Sequence, residues 1–233
     1  EPSLKNIDFT LHKGEILGVA GLLGSGRTDL ARAIFGVDAI DSGVIAVDGK
    51  KTAVDSPKKA INKGIGFLTE DRKNQGLVMQ LSVKDNICMA NIAAFSRWGF
   101  MRTAKEAKVA GSFIKELRIK TTGLGQKTLY LSGGNQQKIV ISKWLCTKAD
   151  ILIFDEPTRG IDVGSKVEIY NLMNKLVNGG TAILMISSEL PELLGMSDRI
   201  LVLRQGRIAG EFSPKETNQE EILQAALGGI GEA

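Results

Sequence analysis

Three short runs carry residue types that do chemistry. Gly21-Leu22-Leu23-Gly24-Ser25-Gly26-Arg27-Thr28 is a glycine-rich loop, and Leu131-Ser132-Gly133-Gly134-Asn135-Gln136-Gln137 is a second glycine-led run at the head of a helical segment. The apolar run Ile151-Leu152-Ile153-Phe154 ends in the acidic pair of Asp155-Glu156-Pro157-Thr158. Together they suit one triphosphate: two loops of free backbone N–H groups and a carboxylate pair. The first run departs from the phosphate-loop pattern G-x-x-x-x-G-K-[ST] at one place, where Arg27 stands for lysine.

In that loop, Gly21, Gly24 and Gly26 permit backbone angles and a close approach that side chains would block, with Ser25 between them. The following helix adds its positive end, Arg27 reaches toward terminal phosphates, and Thr28 offers a hydroxyl to Mg²⁺. A glycine-rich turn with no nucleotide would account for the same residues. Guanidinium is a wide planar fork where ammonium is a compact point charge, so the charge is kept and the shape is not. Asp29 suits the helix dipole but repels a neighbouring triphosphate, and reads equally as a surface acid at a helix start. The expectation is weak nucleotide binding and slow turnover at this loop.

Strand alternation sends Asp155 and Glu156 to opposite sides, so one holds Mg²⁺ through water while the other orients an attacking water. Paired acids there also read as helix-capping groups. Asp162, a few residues on, is placed to touch a second copy or half across an interface. The Ser132 hydroxyl and the free N–H groups after it form an anion site at a helix start, or an ordinary serine cap with flexible glycines. A single chain has no need of two anion sites, unless the second closes on a triphosphate held by another domain.

Strand and helix signals alternate around these runs. Ile7, Phe9 and Leu11 alternate with polar Asp8, Thr10 and His12, which predicts a half-buried strand. Glu15 to Ala20 is apolar nearly throughout, as a strand covered on both faces would be. Leu30, Ala33 and Ile34 recur at helical spacing behind the loop. A hairpin is expected across Asp48-Gly49, giving a small antiparallel sheet, and a helical insertion from Leu81 to Lys143, where strand-like runs disappear. Beyond it come a helix around Val167 to Val177, strands at 181–186 and 200–203, a turn at Gln205-Gly206, and a last helix from Thr217 with Glu220 completing a capping box. The order implies an α/β domain with a largely parallel sheet. The start, with almost nothing ahead of its first strand, is that expected of a domain cut from a longer polypeptide.

With 233 residues and 43% hydrophobic content, one large domain with an inserted subdomain is well within reach. No run nears the roughly 20 apolar residues of a membrane span, so any membrane role is expected to come through a partner. The net charge of +4 is scattered; it allows a basic surface near anionic lipid or nucleotide, but reads first as a plain solvated surface. Cys88 and Cys146 lack metal or redox spacing and read as two reduced thiols. His12, the one histidine, reads as solvated.

The loop, the Leu131 to Gln137 signature and Asp155-Glu156-Pro157-Thr158, in this order, resemble an ATP-binding-cassette (ABC) nucleotide-binding domain over nearly the whole chain. The resemblance implies a P-loop NTPase fold: a RecA-like parallel core with an antiparallel sheet over residues 1–80 and 144–233, and a helical subdomain over 81–143. It implies ATP and Mg²⁺ as cofactors, with Gly21, Gly24, Ser25, Gly26, Arg27, Thr28 and Asp29 on the nucleotide and Thr28, Asp155 and Glu70 at the metal. Glu70 stands where the family has glutamine. Glu156 would be the catalytic carboxylate, and Ser188 falls at the switch-histidine position. Leu131, Ser132, Gly133, Gly134, Asn135 and Gln136 would form the signature, and Asp162 the loop that meets the partner.

The changes at Arg27, Asp29, Glu70 and Ser188 fall on the chain's own site and spare the signature, which implies that the signature completes a partner's hydrolytic site. More narrowly, Thr69-Glu70-Asp71-Arg72-Lys73, Thr158-Arg159-Gly160-Ile161-Asp162 and Ser187-Ser188-Glu189-Leu190-Pro191-Glu192 are similar to the second ATPase half of bacterial monosaccharide importers of the ribose, galactose, xylose and arabinose type. That likeness implies an N-terminal half or second ABC domain, transmembrane permease subunits and, indirectly, a periplasmic sugar-binding protein as partners, with no nucleic acid. It also implies a peripheral place on the cytoplasmic face of the inner membrane. The alternatives are a non-hydrolytic nucleotide-binding regulatory module and an ABC-type ATPase outside transport.

Overall fold

The computed structural model describes residues 4–228. Along the chain, β1 (Ile16–Gly21) runs through the glycine loop into α1 (Arg27–Ile34), and β2 (Ile45–Val47) and β3 (Lys50–Thr52) form a hairpin before α2 (Pro57–Asn62) and β4 (Ile65–Leu68). Then come α3 (Val83–Cys88), α4 (Ile92–Phe95), the short strands β5 (Ser96–Arg97) and β6 (Phe100–Met101), α5 (Thr103–Glu116) and α6 (Gly133–Cys146). The last part alternates β7 (Ile151–Asp155), α7 (Val163–Asn178), β8 (Ala182–Ile186), α8 (Leu190–Met196) and β9 (Arg199–Arg204), and closes with β10 (Arg207–Phe212) and α9 (Gln219–Leu227).

Six strands make one sheet in the order β10-β9-β1-β8-β7-β4, parallel except for β10 at the edge. Ile16, Leu17, Val19 and Ala20 of β1 are all buried, so helices cover both faces of the strand, as its apolar sequence requires. The register decides where the chemistry goes. Val19 lies opposite Ile186, and Ile186 opposite Asp155, so the loops leaving β1, β8 and β7 emerge side by side at one edge.

The structure departs from the expected elements in four places. Ile7, Phe9 and Leu11 are half-buried and Asp8, Thr10 and His12 exposed, as expected, yet this stretch joins no strand ladder among the described residues. Its backbone bonds instead to the turn at Gly206 from Lys5 and to the Glu15 carboxylate from His12. Alternation reports which side chains face the core; it says nothing of a neighbouring strand. A two-residue ladder, β5 with β6, interrupts the helical stretch, too short to show a period in the sequence.

Helix α7 starts earlier than its apolar pattern, at Val163, because Asp162 caps it. Helix α9 is capped by Asn218, whose side chain accepts from the Glu220 and Glu221 amides, while the Thr217 hydroxyl donates to the Glu221 carboxylate. Cys88 and Cys146, remote in sequence, meet at the ends of α3 and α6. Both are buried, the Cys88 thiol donates to Glu106 O at 3.9 Å, and the neighbouring Cys146 thiol together with burial pushes the Cys88 thiol up.

Leu152 is fully buried in β7, between β8 and β4. Leu152→Ala is expected to lower the unfolding free energy by about 2–5 kcal/mol. Urea denaturation checks this as a lower midpoint at unchanged slope.

Candidate functional site

The glycine loop is held open by backbone geometry. Gly21 ends β1 at φ +155°, and a Cβ there would sit 2.5 Å from both the Leu203 carbonyl and the Ser25 hydroxyl. Gly26, at φ +102°, starts α1 without a side-chain cap, which leaves the first-turn amides of the helix without intrahelical acceptors. The Ser25 amide donates to Leu22 O at 3.0 Å, and the Gly206 amide to Ser25 O at 2.9 Å, so the loop is tied to the β9–β10 turn. Two buried oxygens, Ser25 Oγ and Asp155 Oδ2, have no hydrogen-bond partner. Orphaned acceptors beside a cradle of free amides fit a polyphosphate with its divalent cation.

The carboxylates sit differently from strand alternation. Strand β7 ends at Asp155, and Glu156 adopts a left-handed φ of +49°; Asp155 neighbours Thr28 and Glu156 neighbours Arg27, successive residues of one helix start. Asp155 is 2% exposed. Burial pushes its carboxyl up to about 6, the nearby Glu156 charge adds to this, and a hydrogen bond with the Thr28 hydroxyl and the charge of Arg27 oppose it. Glu156 accepts from Ser188 Oγ at 3.1 Å and lies 4.0 Å from Arg27 Nη2. Burial raises its carboxyl as well, against the Ser188 hydrogen bond and the Arg27 charge.

Arg27 is committed to groups of the protein itself. Its Nη1 donates to Ser187 O at 2.7 Å, so one guanidinium joins the loop, the end of β8 and Glu156. The backbone behind it is braced from below. Glu192, in the first turn of α8, accepts from Thr158 Oγ1 at 2.8 Å and from Ser187 Oγ. Sequence reasoning assigned Ser187, Thr158 and Glu192 no role; the burial of Glu192 in a first helical turn, which marks them, exists only in the folded chain.

Thr28, Asp155 and Glu70 do come together, along one cleft of about 520 Å³. Glu70 is not free in it, because Arg159 holds its carboxylate in an ion pair. Leu131, Gly133 and Gln136 line a separate cleft with Arg72 and Gly160. The Ser132 hydroxyl accepts from Asn135 Nδ2 at 2.8 Å and does not cap the backbone, so the first amides of α6 stay available. A Cβ on Gly134 would run into the Ser165 side chain, and one on Gly133 would come within 3.0 Å of Gly160 O. These glycines are thus required by the close approach of the β7–α7 segment.

Gln136 is buried and donates to Thr128 O and Leu131 O, both at 3.1 Å. Asp162 accepts from the amide and hydroxyl of Ser165, both at 2.8 Å, and so works as the cap of α7. Arg72, to which the sequence pointed only as part of a run, donates to Arg159 O at 2.6 Å and Gly160 O at 3.0 Å. It fastens the loop after β4 to the loop after β7, beside the signature.

The ABC transporter family profile matches residues 4–159. The chain belongs to the ABC transporter family. It is 51% identical over 97% of its length to the ribose import ATP-binding protein of Bacillus subtilis (strain 168), and 52% identical over 97% to the xylose import ATP-binding protein of Thermoanaerobacter pseudethanolicus. It covers 46% and 45% of those proteins, so this ABC chain spans about half the length of the curated relatives it matches. Among solved structures, a nucleotide-free ATP-binding cassette superposes with a TM-score of 0.80 at 22% identity, over 97% of this chain and 89% of that one. A dimeric cassette in a post-hydrolysis state bound to ADP and Pi does so with 0.77 at 24%, over 92% of each. The ABC fold expected from the motifs is the observed one.

One residue of the ABC cleft had no signal in the sequence. Lys143 on α6 is buried, donates to Gly76 O at 2.7 Å and sits 4.6 Å from the Trp144 ring centroid. Burial pushes its pKa from 10.5 down to about 8. A base depressed on folding favours its neutral form, so its contribution to stability is full above 10.5 and is lost as the pH falls through about 8. Lys143→Met abolishes that loss: relative to the parent chain, the variant should gain on the order of 3 kcal/mol on going from pH 10.5 to pH 7. Denaturation at the two pH values reads it, and a difference independent of pH contradicts the assignment.

Proposed function

We propose that the chain binds ATP with Mg²⁺ and serves as one nucleotide-binding domain of a monosaccharide importer. Its relatives, ribose and xylose import ATP-binding proteins, support the substrate class. The phosphates would lie on the amides from Gly24 to Thr28, with Asp29 at the rim. Thr28 and Asp155 would hold Mg²⁺ with Glu70 beside them, the ion neutralising phosphate charge when bound. Glu156, oriented by Ser188, would position the attacking water.

The observation that carries the finer reading is the commitment of Arg27 to Ser187 O and Glu156. To reach phosphate, its guanidinium must give up a protein carbonyl, and while it stays the proposed base faces a cation. This chain's own site would then bind weakly and turn over slowly. Its signature, Leu131 to Gln136, and its Asp162 loop would complete the site of an N-terminal half of the same polypeptide or of a second ABC domain. Permease subunits would carry the sugar, supplied by a periplasmic binding protein, and the domain would sit at the cytoplasmic face of the inner membrane. The same commitment of Arg27 supports a second reading, a nucleotide-binding regulatory module without hydrolysis.

Titration with labelled ATP, with and without Mg²⁺, tests the weak site: Arg27→Lys should tighten binding about tenfold, or ~1.4 kcal/mol, and unchanged affinity removes the case. Single-turnover hydrolysis, by this chain alone and then mixed with the N-terminal half, separates the readings. Hydrolysis that appears only on mixing supports shared labour. Hydrolysis alone at the rate of an intact transporter sinks it, and none in either state favours the regulatory module.

A further inference from the structure

A hairpin far from the nucleotide chemistry exposes apolar side chains that neither cleft uses. Strands β5 and β6 pair Ser96 with Met101 and Arg97 with Phe100, and the turn between them is Trp98-Gly99. Trp98 is 87% exposed and Phe100 79%, and Met101 and Ile92 are exposed beside them. Both turn residues have left-handed backbone, Trp98 at φ +54° and Gly99 at φ +81°. This is the geometry of a two-residue hairpin turn, whose first position is suited to Asn, Asp or Gly. An indole there is held at a conformational cost and recovers no burial within the chain.

The mount under this tip is firm. Phe95 is buried at its base, the Arg102 amide donates to Phe95 O at 2.7 Å, and Lys105 Nζ donates to Ala94 O at 2.8 Å. The exposed aromatics thus stand on a fixed support.

Charge narrows what they fit. From Met89 to Lys105 there is no acidic residue, and the cations in that stretch are Arg97, Arg102 and Lys105. The next acid, Glu106, is buried and lies 3.5 Å from Lys84 Nζ. Arg97 and Arg102 are exposed, and their guanidinium groups have no ion pair among the described residues. Trp and Phe at a convex tip, flanked by unpaired arginines, match the two demands of an anionic bilayer surface: amphipathic rings at the headgroup level and cations for the phosphates.

We propose that the β5–β6 hairpin is a membrane-surface anchor, placing Trp98 and Phe100 in the headgroup layer of an anionic bilayer with Arg97 and Arg102 on its lipid phosphates. Sequence reasoning left membrane contact to partner proteins; the hairpin gives the chain a contact of its own. The contact does not depend on the nucleotide reading, because its geometry is complete without ATP.

The chain has two tryptophans, and the other, Trp144, is buried, so changes in emission on vesicles report Trp98. With protein-free phosphatidylglycerol vesicles and no nucleotide, the emission should shift to the blue and the chain should sediment with lipid. Phosphatidylcholine vesicles and high salt should weaken both effects. Arg97→Glu with Arg102→Glu should lower the bound fraction roughly tenfold or more. Trp98→Asn with Phe100→Thr should abolish sedimentation without harming the fold, because Asn suits the left-handed turn position; an unchanged far-ultraviolet spectrum and ATP titration would verify that. Absence of a shift on phosphatidylglycerol vesicles overturns the proposal, as does binding that survives either double substitution. Binding only to membranes that contain a permease also overturns it and gives the hairpin to a protein partner.

Discussion

Parallel pairing places the ends of β1, β8 and β7 at one edge of the sheet, and the site follows from that constraint. Backbone hydrogen bonds alone bring a loop near residue 25, a dipeptide near 187 and a carboxylate pair near 155 together, although they are far apart in sequence. Ligand sites of open parallel sheets form outside the carboxyl ends of their strands for this reason. Asp155 Oδ2 and Ser25 Oγ stay without a hydrogen-bond partner at that edge, where an added polar group could reach them.

Within that edge, Arg27 and Arg72 do related work on different scales. Arg27 ties the start of α1 to Ser187 O and faces Glu156. Arg72 ties the segment after β4 to the carbonyls after β7, next to the glycines that let α6 approach α7. A planar fork with several donors suits both tasks, since each requires two acceptors at a fixed spacing. Two hydrogen bonds and the Glu70–Arg159 ion pair thus join the loop after β4 to the segment that follows Glu156.

The legible parts of this protein were those written in local pattern. Glycine spacing marked the cradle because left-handed and close-approach positions admit little else, and the apolar run ending in two acids marked β7 and its edge. Alternation at Ile7, Phe9 and Leu11 gave the correct facing but not the pairing, since a ladder needs a neighbour that the pattern does not name. At Glu156 alternation no longer applies: the strand stops one residue earlier, and the residue takes a left-handed φ. Asp162, Ser132 and Glu70, to which the sequence points as site residues, each engage neighbours within the chain: the Ser165 amide, Asn135 and Arg159.

By itself, then, the sequence determined the class of fold, the order of its elements, the position of the two amide-rich helix starts and the family. Those depend on propensities and spacing within a few residues. Tertiary structure alone decided that Arg27 bonds Ser187 O, that Lys143 is buried with a lowered pKa, that Cys88 meets Cys146, and that Trp98 and Phe100 are left without cover. Each of these is a matter of which distant atoms arrive at the same place and of how much water they exclude, and neither quantity exists until the sheet has brought the segments together.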